Sequence, residues 1–143
     1  MQYLYITVKE LVSSSAYQAM GMRMLADHYD MPAALTYMDL SVEAEAFGAH
    51  CVYGVDEVPT IIGKLIATKE DAEKLRIPEV GEGRTGVALE TVRKAQMLIS
   101  DRPVIANCIG PFSLAGRLMN VNDIMVACYT DEETVHIVLE KAT

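Results

Sequence analysis

The sequence predicts an α/β fold in which short buried strands pair in parallel. Two mostly apolar runs, at residues 33–38 and 104–109, are too short for helices and are typical of strands buried on both faces. Helical patterns lie between and around them, and strands separated by helices pair in parallel through right-handed crossovers. A closed parallel barrel needs eight strands and about 250 residues. The chain of 143 residues is therefore predicted to be either a small α/β domain or part of a larger one.

Caps and helix breakers predict the elements of the first third of the chain. Ser15 and Gln18 have the spacing of a capping box, which predicts a helix from residue 15 to about residue 29. Asp39 ends the first strand. Ser41 is the predicted cap of a short helix that Gly48 closes.

The middle of the chain is less regular. Residues 50–53 and 60–66 look extended, and they form either a hairpin or an irregular excursion. Residues 78–86 form a Gly-rich loop around Arg84. We predict that this loop is exposed to solvent, because it matches neither a phosphate-binding nor a dinucleotide-binding motif.

The remaining elements are helices around the second strand. The helix at residues 87–99 has an amphipathic pattern, and its predicted buried face consists of Leu89, Val92, Ala95, Gln96 and Ile99. Other helices are predicted at residues 68–75, 112–119, 122–128 and 131–141. Asp131 is the predicted cap of the last helix, whose buried stripe consists of Val135, Val138, Leu139 and Ala142.

Composition excludes several classes of protein. Apolar residues make up 51% of the chain and no apolar run reaches the roughly 18 residues of a membrane span, so we expect a folded cytoplasmic protein without a signal peptide. The net charge of −8 disfavours nucleic-acid and membrane partners. Three widely spaced cysteines predict neither a disulfide framework nor a CxxC metal site.

Two strand ends carry candidate functional residues, because ligands of parallel α/β folds collect at the carboxyl ends of strands. Asp39 is either an ordinary strand-ending residue or a carboxylate that faces a ligand. Gly110 and Pro111 form either a tight strand-to-helix turn or a loop that approaches a ligand, where Ser113 could satisfy free N–H groups. Arg117 is either solvated or paired with a carboxylate.

Three blocks of the sequence resemble the uroporphyrinogen decarboxylase superfamily, which includes cobalamin-dependent methyltransferases. The blocks are YMDLSVEAEAFGA, DEVPTIIGKL and DRPVIANCIGPFSLAGRLM, and they occur in order along nearly the whole chain. EAEAFGA and GPFSLAGRLM look closer to the methyltransferase-like branch. The resemblance implies that residues 1–143 form the early strands and helices of a (β/α)8 TIM barrel, as one incomplete domain.

The resemblance also implies roles for individual residues. Asp39 takes the place of a catalytic aspartate that contacts the pyrrole N–H groups of a tetrapyrrole. Gly110, Pro111, Phe112 and Ser113 take the place of a turn that binds the substrate. Arg117 takes the place of a tyrosine that follows this turn in the decarboxylases. The superfamily's zinc ligands and its N-terminal arginines have no counterpart here. We therefore expect no cofactor in this chain, with zinc and a corrinoid belonging to a full-length methyltransferase.

The leading functional hypothesis is a fragment of an enzyme that transfers a methyl group from a corrinoid to a thiol. One alternative is decarboxylation of a tetrapyrrole in porphyrin synthesis. The other is a noncatalytic half-barrel that self-associates. In each case we expect the chain alone to be inactive, and to form homo-oligomers or to associate with the missing part of the barrel, because an incomplete barrel exposes sheet edges.

Overall fold

The computed structural model describes residues 4–143, which form eight helices and four two-residue strands. The helices are α1 Val8–Ser13, α2 Ser15–His28, α3 Val42–Ala46, α4 Lys69–Lys74, α5 Arg84–Leu98, α6 Pro111–Met119, α7 Val121–Thr130 and α8 Glu132–Lys141. The strands are β1 Ala34–Leu35, β2 Cys51–Val52, β3 Thr60–Ile61 and β4 Val104–Ile105. In this part of the chain no helix is long and apolar enough to cross a membrane.

Strands β1 and β4 pair in parallel, as predicted, with Ala34 opposite Val104. Side chains extend the pairing beyond the strands. The backbone N–H of Asn107 donates to Oγ1 of Thr36 at 2.8 Å, and its Nδ2 donates to the Thr36 carbonyl at 2.8 Å. The carboxyl ends of the two strands are therefore tied together at the edge where Asp39 follows.

Two apolar cores hold the helices. Helices α2 and α5 pack against each other beneath β1. The buried residues of this first core are Ala19, Met22, Ala26, Ala34, Ala95 and Ile99. The second core lies among α4, α6, α7 and α8, and its largest fully buried side chains are Ile66, Leu118, Ile124 and Val138.

The prediction that both central strands are buried on two faces is wrong. Ala34 is 1% exposed, but Leu35 is 44% exposed and Ile105 is 46% exposed. Successive side chains of a strand point to opposite faces. The α2–α5 layer covers one face of the pair, whereas Leu35 and Ile105 have large exposed surfaces.

The predicted cap of α2 is displaced by one residue. Ser14, not Ser15, is the N-cap, and its Oγ accepts the N–H of Tyr17 at 3.3 Å. An unpredicted helix, α1, ends at Ser13, so Ser14 lies in extended backbone between the two helices. Extended backbone is the conformation in which a serine hydroxyl reaches the N–H groups of the next turn.

Between α3 and α5, one of the open alternatives is resolved. Strands β2 and β3 pair in antiparallel fashion, so the segment contains a hairpin. Helix α5 begins at Arg84, three residues earlier than predicted, and Leu89 and Gln96 of its predicted buried face are exposed. Thr91 is buried instead. Its hydroxyl is satisfied there, because it donates to the Val87 carbonyl at 2.8 Å.

The C-terminal helices agree with the sequence. Asp131 caps α8, and its Oδ1 accepts the N–H of Thr134 at 3.2 Å. Val135 and Val138 of the predicted stripe are buried, whereas Leu139 and Ala142 are half-buried. Helix α6 begins at Pro111, whose fixed φ suits the first position of a helix.

Candidate functional site

Asp39 lies just beyond the carboxyl end of β1, and its side chain is 12% exposed. Its Oδ1 accepts two hydrogen bonds from Ser41, from the backbone N–H at 2.9 Å and from Oγ at 2.6 Å. Its Oδ2 accepts from Nη1 of Arg84. Ser41 is the N-cap of α3 but makes no capping bond with its side chain, because its hydroxyl donates to Asp39 and accepts from Arg84 instead.

Arg84 is buried at this site, and the prediction that it lies in a solvent-exposed loop is wrong. Its side chain is 11% exposed, and Nε donates to Oε2 of Glu45 at 2.5 Å. Nη2 donates to Oγ of Ser41 at 2.7 Å, and the guanidinium lies 5.1 Å from the ring centroid of Tyr53. Gly83, with φ of 58°, turns the chain so that α5 starts with Arg84 pointing at the strand end.

Together, Asp39, Ser41, Glu45, Tyr53 and Arg84 form what we call the Arg84 cluster. Burial disfavours the charged guanidinium, but the hydrogen bonds to Glu45 and Asp39 outweigh this effect and raise the Arg84 pKa. Burial raises the pKa of Tyr53, and the hydrogen bond from its hydroxyl to Glu45 raises it further. At neutral pH the Arg84 guanidinium therefore stays charged and the Tyr53 hydroxyl stays neutral.

A cavity of about 270 Å³ adjoins the Arg84 cluster. Side chains of α1 and α2 form an apolar wall that includes Val8, Leu11 and Met24. The charged residues among the described lining are Asp39, Glu43 and Arg84, and they lie outside α1 and α2 together with Asn107, Cys108 and several apolar side chains. We call this part of the lining the acidic wall, because two of its three charged residues are carboxylates.

Tyr37 reaches into this cavity across a glycine of α2. A Cβ atom on Gly21 would lie 2.2 Å from the Tyr37 hydroxyl, so only glycine admits the tyrosine in this position. Within residues 4–143 the hydroxyl makes no hydrogen bond, and burial of the ring raises the Tyr37 pKa. Tyr37 therefore presents a neutral hydroxyl to the cavity.

The predicted turn after β4 lies beside the cavity rather than in its wall. The lining reaches Ile109, whose N–H lies 3.3 Å from Oε1 of Glu43, and it stops one residue before Gly110. Gly110, Pro111, Phe112 and Ser113 are exposed, and Phe112 is 49% exposed. Arg117 is half-buried and makes no ion pair with the residues described here. The structure thus brings Asp39 to the cavity without the other predicted residues, whose binding role stays a prediction.

Sequence reasoning missed Tyr37, Tyr53 and Arg84 as residues of the site. A usable signal existed for Arg84. A cation in the first turn of a helix is unfavourable beside the positive end of the helix dipole. Its presence there indicates a specific anionic partner, which Asp39 and Glu45 supply.

The site's chemistry is that of hydrogen bonding and charge rather than metal binding. Among residues 4–143 no group of three or more His, Cys, Asp or Glu side chains could hold a metal ion. His50 and Cys51 are adjacent in sequence and are residue types that bind metals. Cys51 instead contacts Arg84, with Sγ 3.7 Å from Nη2. The acidic wall can accept hydrogen bonds from a ligand, and the apolar wall can pack against it.

Comparisons with known proteins identify the family of the chain. A family model described as uroporphyrinogen decarboxylase matches residues 1–143. A methylcobamide:CoM methyltransferase, MtbA, from Methanosarcina acetivorans is 34% identical over 104 residues. The MtbA of Methanosarcina mazei is 32% identical over 108 residues. Each match covers 71% of this chain, and the chain spans only 30% of the length of these curated relatives.

A solved structure shows the same fold. A methyltransferase from Methanosarcina mazei superimposes with a TM-score of 0.88 at 20% identity. The superposition covers 99% of this chain and 43% of the methyltransferase. The predicted fold class, part of a TIM barrel, is confirmed.

Proposed function

This chain belongs to the uroporphyrinogen decarboxylase family, and from that premise we propose that it forms one wall of the substrate site of a corrinoid-dependent methyltransferase. Support comes from the two curated relatives, whose names describe methyl transfer between a methylcobamide and CoM. Because the chain spans 30% of their length, the reaction and both substrates are proposed for a protein that contains this wall.

One observation carries the proposal: Asp39 is fixed by Arg84 at the mouth of a cavity at the carboxyl end of β1. An ionised carboxylate has about four acceptor sites, and Asp39 already accepts three hydrogen bonds. A decarboxylase that anchors several pyrrole N–H groups on this residue needs more open acceptor sites. The arrangement therefore favours methyl transfer over tetrapyrrole decarboxylation by a lyase.

The cavity fits part of a corrinoid rather than a whole one. Its volume of about 270 Å³ lies just below the usual range of small-molecule sites, which is roughly 300–1,000 Å³. Asp39, Glu43 and Asn107 would hold a polar arm of the ligand, while the apolar wall of α1 and α2 would exclude water. When bound, a corrinoid supplies a cobalt-bound methyl group for transfer to a thiol. The described residues do not fit zinc, so we derive no step through it.

Gly110, Pro111, Phe112, Ser113 and Arg117 are proposed as further substrate contacts. Their support is that they follow β4 at the same edge of the sheet as Asp39 and that Phe112 and Ser113 are exposed. An exposed aromatic ring and a guanidinium without an ion pair in the described residues suit the face of a large conjugated ligand.

Binding of methylcobalamin tests the proposal directly. The chain is titrated with methylcobalamin by equilibrium dialysis, with uroporphyrin as the competing ligand. We expect saturable binding of methylcobalamin that Arg84→Met weakens, because the variant releases Asp39 from the position in which the guanidinium holds it. Circular dichroism checks that the variant remains folded under the conditions of the titration. Arg93→Met is the matched control, because Arg93 lies on the same helix with 74% of its side chain exposed. Binding of uroporphyrin in preference to methylcobalamin would support decarboxylation instead.

We also propose that this chain self-associates, or associates with the remainder of a barrel, in the cytoplasm. Exposed apolar side chains support the association: Leu35 and Ile105 on the sheet, and Val121, Met125 and Tyr129 along one face of α7. Three free cysteines suit a reducing compartment. Sedimentation velocity at dilute concentration is expected to show a dimer or larger species, and a monodisperse monomer would contradict self-association.

A further inference from the structure

We infer that Glu43 makes the cavity selective for a ligand group that carries N–H donors, such as a carboxamide arm of a corrinoid, and against an anionic group. The inference deepens the proposed function and rests on it. It assigns one of the two proposed substrates, the corrinoid, to this cavity, and it places an anionic thiol such as CoM elsewhere.

The charges at the cavity do not balance. Its charged lining residues are Asp39, Glu43 and Arg84, and Glu45 lies directly behind Arg84. Three carboxylates at or directly behind the cavity lining are therefore balanced by only one guanidinium. In a site partly withdrawn from water, an excess of negative charge repels an anion and favours a neutral donor or a cation.

Arg84 is not available to offset an incoming anion. A guanidinium has five N–H donors. Those of Arg84 point at Glu45, Asp39, Ser41 and the sulfur of Cys51. Four of the five donors are thus engaged inside the protein, so Arg84, the basic side chain among the described lining residues, serves structure rather than ligand binding.

Glu43 is the carboxylate that remains open. It lies in the first turn of α3 and lines the cavity, and its Oε1 lies 3.3 Å from the N–H of Ile109. None of the described cations forms an ion pair with it, in contrast to Asp39 and Glu45. Its second oxygen has no hydrogen-bond donor within the described part of the chain.

The ligand chemistry follows from these contacts. A primary carboxamide donates N–H groups to a carboxylate without bringing a charge of its own, and such charge-assisted bonds are stronger than neutral ones. A carboxylate or sulfonate in the same place would be repelled. The corrinoid periphery is rich in carboxamides, and one arm is compatible with a cavity of about 270 Å³.

The test compares two corrinoids that differ in their arms. Dicyanocobinamide carries carboxamides, whereas dicyanocobyrinic acid carries carboxylates on the same macrocycle. Each is titrated into the full chain by equilibrium dialysis at pH 7, with wild type, Glu43→Gln and Glu140→Gln. Glutamine keeps an acceptor for the Ile109 N–H, and Glu140 is an exposed carboxylate on α8 outside the cavity, so its variant has the same change in net charge.

We expect wild type to prefer the carboxamide corrinoid, and Glu43→Gln to reduce that preference about tenfold, the effect of one charge-assisted hydrogen bond. Glu140→Gln should leave the preference unchanged. Equal effects of the two variants, or no preference in wild type, overturn the role of Glu43 while corrinoid binding itself stands. A folded chain that binds neither corrinoid overturns the proposed function and this inference together.

Discussion

Replacing Arg84 with methionine is expected to lower the free energy of unfolding by about 3 kcal/mol. Methionine retains much of the apolar stem and removes the charge. Removing one partner of a buried ion pair costs roughly 3–5 kcal/mol because the other charge is left uncompensated. The side chain of Asp39 is 12% exposed and that of Glu45 is 26% exposed, so water offsets part of the loss at Glu45 and places the estimate at the lower end.

A second variant separates charge from packing. In the double variant Arg84→Met with Asp39→Asn, the buried carboxylate that lacks a partner is replaced by a neutral amide. We expect this change to recover about 1–2 kcal/mol of the loss, which lies within the range of interaction energies for residues in contact. If Arg84 stabilised the fold through its stem alone, the second substitution would bring no recovery.

Urea unfolding followed by far-UV circular dichroism at pH 7 measures both effects. Arg93→Met is the control, and as an exposed substitution on the same helix it should change stability by no more than about 0.5 kcal/mol. On heating, Arg84→Met should lower Tm by roughly 6–12 °C for a chain of this size. Equal stabilities of the Arg84 and Arg93 variants would refute the electrostatic role of the Arg84 cluster.

Three further predictions concern other parts of the chain. Gly21→Ala should lower stability by about 1–3 kcal/mol through its clash with the Tyr37 hydroxyl, and urea unfolding should show a smaller loss when Tyr37→Phe is present. Arg102→Leu should lower the free energy of unfolding by about 2 kcal/mol in the same assay. The Arg102 side chain is 16% exposed, and its guanidinium donates to the backbone carbonyls of Ala26 and Met31, at and just after the end of α2. An unchanged urea midpoint would contradict this. The hydrogen bond from Arg76 lowers the pKa of Glu82 from 4.5 to about 2, so this ion pair stabilises the fold above pH 4.5 and its contribution is lost as the pH falls towards 2. An NMR titration should give that value, and Arg76→Met should return it towards 4.5.

Local signals in the sequence predicted seven of the eight described helices, all except α1, and the pairing of the central strands. Asp131 lies before a run with helical periodicity, and it caps α8 in the structure. The parallel pairing of β1 with β4 followed from two apolar runs separated by helices. In both cases the signal comes from neighbouring residues and from rules of chain connection.

Contacts between distant residues were not predictable in this way. The Arg84 guanidinium meets Asp39, which lies 45 positions earlier in the chain. Its burial depends on where α5 begins, and Gly83 shifts that start by three residues from the predicted one. The exposure of Leu35 depends in the same way on which helices cover the sheet, and strand composition carries no information on that.

The three carboxylates of residues 39–45 differ in what a substitution can reveal. Asp39 and Glu45 both hold Arg84, so Asp39→Asn disturbs the guanidinium and any loss of binding would follow from a loosened fold as readily as from a lost ligand contact. Glu43 has no such structural partner beyond one backbone N–H, which glutamine can still satisfy. Asp39, the residue to which the family resemblance points, is therefore the poorer probe of ligand binding, and Glu43 is the better one.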